Sequence, residues 1–194
     1  MTRLVLASTS RYRRELLARL GHDFSVAAPA SDESALAGES PARTALRLAE
    51  AKARAVTVDE PGALIIGSDQ LAELDGQALG KPGSIAAARQ QLAACSGHVV
   101  QFHTAVCVLD TRGAAPRARS AIDCTRVLFR PLDAEAIARY VEAERPLDCA
   151  GSFKAEGLGI ALFDRIDSSD PTALVGLPLI ALARLLRECG LALP

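Results

Sequence analysis

Four side chains suited to phosphate binding follow a short apolar segment near the beginning of the chain. Residues 4–7 are apolar and rich in strand-forming types, and Ser8, Ser10, Arg13 and Arg14 come after them. Leucines at helical spacing follow, so the pattern predicts a buried strand that runs into the first turn of a helix. A helix N-terminus offers unpaired N–H groups and the positive end of the helix dipole, while hydroxyl and guanidinium groups donate to phosphate oxygens. We therefore expect a phosphate site here, although a serine cap followed by a solvated arginine face is generally the commoner arrangement.

Three carboxylates are candidates for acid–base chemistry or metal binding. Asp69 follows residues 63–68, an apolar run that predicts a strand buried on both faces, and α/β sheets bind ligands at strand ends. A carboxylate there can accept a proton from water or hold a metal ion; a turn-forming aspartate is about as common. Asp32 and Glu33 lie in a predicted loop, where two acids are more often solvated. Carboxylate oxygens are nevertheless the ligands that Mg²⁺ and Mn²⁺ prefer.

The lysines of the chain are few, and each has a distinct setting. Lys81 stands between a glycine and a proline, which fix the direction of the chain, whereas Lys52 lies on an alanine-rich predicted helix where an exposed lysine needs no special role. Lys154 belongs to the glycine-bracketed segment 151–157, which could close over a ligand. Gln70, beside Asp69, can form two opposed hydrogen bonds with a base edge or can be an ordinary surface residue.

The composition limits the classes of function. A chain of 194 residues has room for one domain with a proper core, and its net charge of −1 gives no electrostatic footprint for nucleic acid or an anionic membrane. The five cysteines are scattered and lack the spacing of a zinc site, which indicates reduced thiols in a cytoplasmic protein. We find no signal peptide, membrane span, serine-hydrolase elbow or zinc-protease motif in the sequence.

The order of predicted elements favours an α/β fold with a mixed sheet, because strands alternate with helices around one long antiparallel pair. The predicted elements are strand 3–8, helix 11–20, strand 24–28, helix 41–56, strand 63–68, hairpin 71–79 turning at Asp75-Gly76, a helix that ends near residue 95, strands 98–109 and 117–129, a helix that ends at residue 144, and a helical stretch from residue 171 that breaks at Pro178. The predicted caps of the second, third and fourth helices are Ser40, Ser84 and Asp133.

With these residues assembled, nearly the whole chain resembles the Maf family of nucleoside-triphosphate pyrophosphatases. The resemblance is carried by many short segments in the family's order, and so many ordered matches are a specific signal. The matching segments are residues 6–17, 31–33, 49–53, 65–70, 80–82, 149–157 and 174–178.

The resemblance implies a two-lobed mixed sheet flanked by helices, similar to inosine-triphosphate pyrophosphatases, formed by residues 1–194 with a nucleotide bound between the lobes. It implies hydrolysis between the α- and β-phosphates with a divalent cation, Mg²⁺ or Mn²⁺. Asp69 is then the proton acceptor for water and a metal contact, and Glu33 is a metal ligand. The phosphate-binding residues implied are Ser8, Ser10, Arg13, Lys52 and Lys81.

Within the family, Gly67 to Gln70 and the Gly-Ser-Phe-Lys segment are similar to the subfamily that hydrolyses 7-methyl-GTP, not to the one that acts on dTTP and UTP. Tyr12 stands where that subfamily commonly has tryptophan. Tyr12, Gln70 and Lys154 are therefore the expected specificity residues, and we expect Lys154 to contact a phosphate or Glu156 because a cationic base would repel it.

Two alternatives stay open. One is a pyrophosphatase for other canonical or modified nucleoside triphosphates, and the other is a non-catalytic nucleotide sensor in cell-division control. A sensor would not need Asp69, Glu33, Lys52 and Lys81 together. The expected partner is a small nucleotide substrate, and neither nucleic acid nor a membrane is expected. A second copy of the chain is a further partner if the protein is a homodimer.

Overall fold

A mixed sheet runs through residues 2–34 and 36–194, the part of the chain that this computed structural model describes. Its strands are β1 (Arg3–Ala7), β2 (Phe24–Ala27), β3 (Ala63–Leu74), β4 (Gln77–Leu79), β5 (Val99–Asp110), β6 (Arg117–Phe129) and β7 (Phe163–Asp167). The helices are α1 (Arg11–Ala18), α2 (Pro41–Ala55), α3 (Ile85–Cys95), α4 (Ala134–Glu144) and α5 (Leu179–Glu188). Short 3₁₀ turns lie at Ala150–Ser152, Leu158–Leu162 and Ala173–Val175.

The strand order is β2-β1-β3-β5-β6-β7, with β4 paired to the end of β3. β1 is parallel to both of its neighbours, and every other pairing is antiparallel. β1 and the first seven residues of β3 are almost fully buried because helices cover both faces, which explains their continuous apolar sequences, whereas the edge strand β2 is partly exposed. The long hairpin of β5 and β6 is confirmed.

Three apolar clusters give the molecule its two halves. In the parallel half, α1 and α5 pack leucines against one face of the sheet, and α2 packs alanines against the other. In the other half, α3 and α4 pack on β5 and β6 around a group of phenylalanines. The phenylalanine rings meet edge to face at centroid distances of 4.8–5.7 Å. The expected two-lobed mixed sheet flanked by helices is confirmed.

Capping residues in the sequence predicted where three of the helices begin, whereas the start of the last helix differs from the prediction. The predicted caps each accept the backbone N–H three residues on. They are Ser40, Ser84 and Asp133, and Ser10 caps α1 in the same way. The break at Pro178 is confirmed, but no continuous helix begins at residue 171. Instead the carboxylate of the buried Asp170 accepts from the N–H of Ile180 at 2.7 Å and so caps α5 from across the turn.

The described residues contain neither a disulfide bond nor a helix that could span a membrane. All five cysteines are free thiols in the described residues. In residues 2–34 and 36–194, we find no helix that is both long and apolar enough to cross a membrane.

Helix α2 lies unusually close to β3, and Gly67 makes that approach possible. A Cβ atom at this position would lie 2.1 Å from the carbonyl oxygen of Ala49 and 2.8 Å from the amide nitrogen of Ala53. Both are backbone atoms, so no side-chain rotation could relieve the contact. The alanine-rich sequence of α2 has the same cause, because larger side chains on this face would push the helix away from the sheet.

We predict that Gly67→Ala lowers the free energy of unfolding by roughly 1–3 kcal/mol, since α2 must move to accommodate the methyl group. The matched control is Gly113→Ala in the β5–β6 turn, where the nearest atom to an added Cβ is 3.9 Å away. Urea denaturation measures both variants. Wild-type stability in Gly67→Ala would contradict the close contact.

Candidate active site

A cleft of about 1030 Å³ lies where β3 extends beyond the end of β1. β1 pairs with β3 as far as Ile66, and β4 pairs with β3 only from Ala72. Residues 67–71 of β3 thus form an edge paired with neither strand, and the cleft lies beside that edge. The site residues that the family resemblance implies all line it: Ser8, Ser10, Tyr12, Arg13, Glu33, Lys52, Asp69, Gln70, Lys81 and Lys154.

The strand-to-helix junction is built as expected, with one exception. Ser10 caps α1, and Ser8 Oγ accepts from the N–H of Ser10 at 3.2 Å and from Arg13 Nη1 at 3.4 Å. Arg13 Nε donates to the carbonyl oxygen of Gly176 at 2.9 Å. Burial lowers the pKa of Arg13, and Asp69 and Glu33 act in the opposite direction. Arg14 is exposed and does not line the cleft, because one residue turns an α-helix by about 100°.

The position of Asp69 was predicted at a strand end and lies in mid-strand. β3 continues to Leu74 because residues 64–73 pair with β5 throughout. The turn at Asp75-Gly76 is confirmed, with both residues at positive φ as a two-residue hairpin requires. Because residues two apart in a strand lie on the same face, Asp69 lies on the same side of the sheet as Gly67 and faces α2.

An ion cluster made of the buried Lys52 and Asp69 and the exposed Glu33 joins α2, β3 and the loop before α2. Lys52 Nζ lies 2.5 Å from Asp69 Oδ1 and 2.8 Å from Glu33 Oε1, and the Lys52 and Asp69 side chains are each about a tenth exposed or less. The hydrogen bond from Lys52, opposed by burial, lowers the pKa of Glu33, and the charges of Lys81 and Arg13 lower it further. Both carboxylates are therefore held next to one ammonium group.

The loop that carries Glu33 is tied to α2 by an ion pair. Arg47 donates to both carboxylate oxygens of Glu39, and its Nη2 also donates to the carbonyl oxygen of Ser34 at 3.0 Å. Hydrogen bonds from Arg47 hold the pKa of Glu39 at about 2. Asp32 accepts the N–H of Ser34 at 2.9 Å and does not line the cleft, so only one member of the predicted acidic pair reaches it.

The carboxylates of this cluster could hold a divalent cation together with water and oxygen atoms of a bound substrate. Hydrogen bonds among the described residues leave Glu33 Oε2 and Asp69 Oδ2 without a donor. We find no group of three or more His, Cys, Asp or Glu side chains that would complete a metal site within residues 2–34 and 36–194. One or two carboxylates completed by water and substrate phosphates is the usual protein environment of Mg²⁺.

Gln70 and Tyr12 are already engaged by protein groups. Gln70 Nε2 donates to Thr104 Oγ1, to the carbonyl oxygen of Ala173 and to that of Leu174, at 2.9–3.1 Å. Its amide therefore offers only an acceptor to a ligand. The Arg11 guanidinium carbon lies 4.7 Å from the centroid of the Tyr12 ring.

The two remaining lysines differ in their surroundings. Lys81 is exposed at the mouth of the cleft. Lys154 Nζ lies 3.2 Å from the carbonyl oxygen of Glu144 and 3.7 Å from its Oε1. The expected partner Glu156 is thus replaced by Glu144, because Phe153 is fixed in the aromatic cluster and directs Lys154 towards the end of α4.

Gly176 is a site residue that residue-by-residue reasoning missed. Its carbonyl oxygen accepts from Arg13 Nε and from the buried Ser68 Oγ, which lies 3.0 Å away. Its φ of 122° is a conformation that favours glycine. The Gly-Leu-Pro sequence signals a turn, but nothing in it indicates a contact with Arg13, 163 positions earlier in the chain.

We predict that the Glu33 carboxyl titrates below the ordinary glutamate range, and that Lys52→Met raises its pKa because the hydrogen-bonding cation is lost. Carboxyl carbon NMR shifts followed against pH measure this. Arg54→Met, which removes an exposed cation of the same helix, is the control. The same low pKa means that Glu33 contributes stability above the pKa of an unfolded glutamate and loses it as pH falls through the folded pKa. An unchanged Glu33 titration in Lys52→Met would contradict this cause.

Comparison with known proteins places this geometry in context. Three bacterial proteins named 7-methyl-GTP pyrophosphatase are similar along the chain. The Xanthomonas campestris protein is 60% identical over all of both chains. The Burkholderia orbicola protein is 57% identical over 95% of this chain and 89% of its own length. The Aromatoleum aromaticum protein is 56% identical over 100% of this chain and 98% of its own.

The solved structure of the Staphylococcus aureus Ham1 protein shares the fold. It has a TM-score of 0.50 at 13% identity, and the match covers 96% of this chain and 99% of the Ham1 chain. The expected inosine-triphosphate-pyrophosphatase-like fold is confirmed by this likeness. Residues 3–189 match the family described as Maf-like protein. The chain belongs to the family of Maf-like proteins.

Proposed function

We propose that this protein is a nucleoside-triphosphate pyrophosphatase that hydrolyses 7-methyl-GTP to 7-methyl-GMP and pyrophosphate. The observation that carries the proposal is the placement of Asp69, a carboxylate with one oxygen free, among phosphate donors in a single cleft. The names of the full-length relatives support the substrate. A nucleotide sensor would need the phosphate donors but not a carboxylate poised beside them.

The donors at the cleft fit the triphosphate. Arg13, Lys52 and Lys81 carry positive charge, and Ser8 and Ser10 add hydroxyls at the N-terminus of α1. In the reaction the bond between the α-phosphorus and the bridging oxygen breaks, and the leaving pyrophosphate gains negative charge. Fixed cations that meet this growing charge stabilise the transition state more than the ground state.

Asp69 is the proposed proton acceptor. Its Oδ1 is bound to Lys52, which fixes the direction of the carboxylate, and its Oδ2 receives no hydrogen bond from the described residues. Oδ2 takes a proton from the attacking water as the oxygen bonds to phosphorus.

A divalent cation, Mg²⁺ or Mn²⁺, is part of the proposal. Glu33 Oε2 and Asp69 Oδ2 are the protein atoms that would hold it, with phosphate oxygens completing its shell. Such a cation, when bound, withdraws charge from the phosphoryl group that is attacked. Because the Glu33 loop is anchored by Arg47, the carboxylate is presented to the cleft without a large ordering cost.

The base end of the proposed substrate meets different groups. Apolar residues line part of the cleft, among them Leu174 and Val175. Gln70 offers its carbonyl oxygen, which suits the N–H groups on the Watson–Crick edge of guanine. Tyr12 offers the ring face opposite Arg11 to the cationic 7-methylguanine ring.

The cytoplasm is the compartment that we propose, since five unpaired thiols suit a reducing environment. A homodimer and the absence of a nucleic-acid partner stay predictions from the sequence.

We predict that Asp69→Asn lowers kcat by about 10²–10⁴-fold while leaving nucleotide binding, because the amide cannot accept the proton. The matched control is Asp75→Asn in the hairpin turn of the same strand, where asparagine also tolerates a positive φ. Pyrophosphate release from 7-methyl-GTP with Mg²⁺ measures turnover. Turnover in Asp69→Asn like that of wild type would exclude Asp69 as the base.

For substrate choice, we predict the highest kcat/KM for 7-methyl-GTP in a panel with GTP, UTP and dTTP. Tyr12→Ala should reduce the preference for 7-methyl-GTP over GTP by about tenfold, in line with a cation–π attraction of about 0.5–2 kcal/mol. Tyr12→Phe keeps the ring and is the control. Faster hydrolysis of UTP or dTTP would overturn the substrate assignment, and an unchanged preference in Tyr12→Ala would place selectivity elsewhere.

A further inference from the structure

Gln91 on α3 bridges two segments that line the cleft, although its own side chain does not line it. Its Oε1 accepts from Ser152 Oγ at 2.5 Å, and its Nε2 donates to the carbonyl oxygen of Gly80 at 3.1 Å. A carbonyl oxygen can only accept, so the amide nitrogen must face Gly80 and the amide oxygen must face Ser152. Both ends of one side chain are therefore used, each in its required role.

The two segments are those that present lysines to the cleft. Gly80 directly precedes Lys81, and Ser152 lies two residues before Lys154. We call residues 79–83 the Lys81 segment and residues 150–154 the Lys154 segment. A backbone hydrogen bond of 3.0 Å runs from Gly83 in the Lys81 segment to Leu147, three residues before the Lys154 segment, and it leaves the contact between the two segments themselves to side chains.

The Lys154 segment needs such a contact because its backbone is strained. Ser152 has a φ of 62°, which is unfavourable for a residue with a Cβ, and it is fully buried. Gly151 before it has a φ of 72°, and a Cβ atom added there would lie 3.2 Å from Cζ of Phe102, which leaves little room for a side chain. The hydrogen bond to Gln91 holds Ser152 in this conformation, which turns Phe153 into the aromatic cluster and directs the chain towards the cleft.

We infer that Gln91 is a positioning residue that fixes the Lys81 and Lys154 segments relative to each other. The expected effect of Gln91 on kinetics rests on the proposed function. Its expected effect on the structure rests only on the hydrogen bonds to Gly80 and Ser152. With Gln91 in place, the charge of Lys81 meets the triphosphate without reorganisation. Without it, each segment finds its position independently, and part of the transition-state stabilisation is lost.

The amide is the group that this position requires. A glutamate could accept from Ser152 but would turn a carboxylate oxygen towards the carbonyl oxygen of Gly80. A methionine has a similar shape and forms neither bond. Gln90 is the neighbouring residue on α3, is exposed, and provides a control of identical chemistry.

The structural test is amide hydrogen exchange in Gln91→Met and Gln90→Met. In Gln91→Met we expect faster exchange at Gly83, whose N–H binds Leu147, and at Lys154, whose N–H binds the Tyr140 hydroxyl. Gln90→Met should match wild type at both. Faster exchange at only one of these amides, or at neither, would overturn the bridging role whatever reaction the protein catalyses.

The kinetic test uses 7-methyl-GTP and a double-mutant cycle. Gln91→Met should lower kcat/KM by roughly 10- to 100-fold, as displacement of a catalytic group by about 1 Å does, and Gln90→Met should leave it unchanged. In a Lys81→Ala background, Gln91→Met should cost much less, because the two residues act through the same contact. Equal losses in both backgrounds would show that Gln91 does not act through Lys81. Absence of turnover in the wild-type protein would instead contradict the proposed function and leave the exchange result to decide.

Discussion

The buried ammonium group of Lys52, held between two carboxylates, is the interaction on which the site depends. Burying a charge costs free energy unless an opposite charge lies beside it. Removing one partner of a buried ion pair strongly destabilises the folded state, because the other charge is then left buried without a partner. Lys52 reaches Asp69 only because α2 lies against the backbone of β3 at Gly67. A glycine in a strand, an alanine-rich helix and a lysine on that helix are thus parts of one arrangement, and the loop that supplies Glu33 completes it.

The cleft follows from unequal strand lengths. β1 ends at Ala7, whereas β3 continues for eight residues beyond its last pairing with β1, as the bounds of β3 and the register show. A helix N-terminus is left beside an open strand edge, and the two faces of that edge present different side chains. Asp69 points to the side of α2, and Gln70 points to the turn Ala173–Val175. One strand therefore supplies a carboxylate to the cleft from one face and a hydrogen-bonding amide from the other.

Much of this arrangement could be predicted from local sequence, because local rules govern it. Ser10, Ser40 and Ser84 cap helices as their positions indicate, and Asp75-Gly76 forms the expected turn. The strand end predicted at Ser68 was wrong because pairing with β5, which is distant in sequence, continues the strand. The pairing of Lys154 with Glu144 and the bridge made by Gln91 were equally out of reach, since both depend on how α3 and α4 pack against loops. Resemblance to the family selected residues that the structure places around one cleft, whereas periodicity alone could not bring them together.

The hydrogen bond between Arg13 and Gly176 has a consequence for biosynthesis. It joins the first helix to a turn that precedes the last one, so a chain emerging from the ribosome cannot close it until nearly all residues have been made. Contacts so distant in sequence form at a high cost in loop entropy and tend to form late. The geometry at the start of the first helix is consequently a property of the finished chain, and any ligand that recognises this geometry binds the native state alone and shifts the folding equilibrium in its favour.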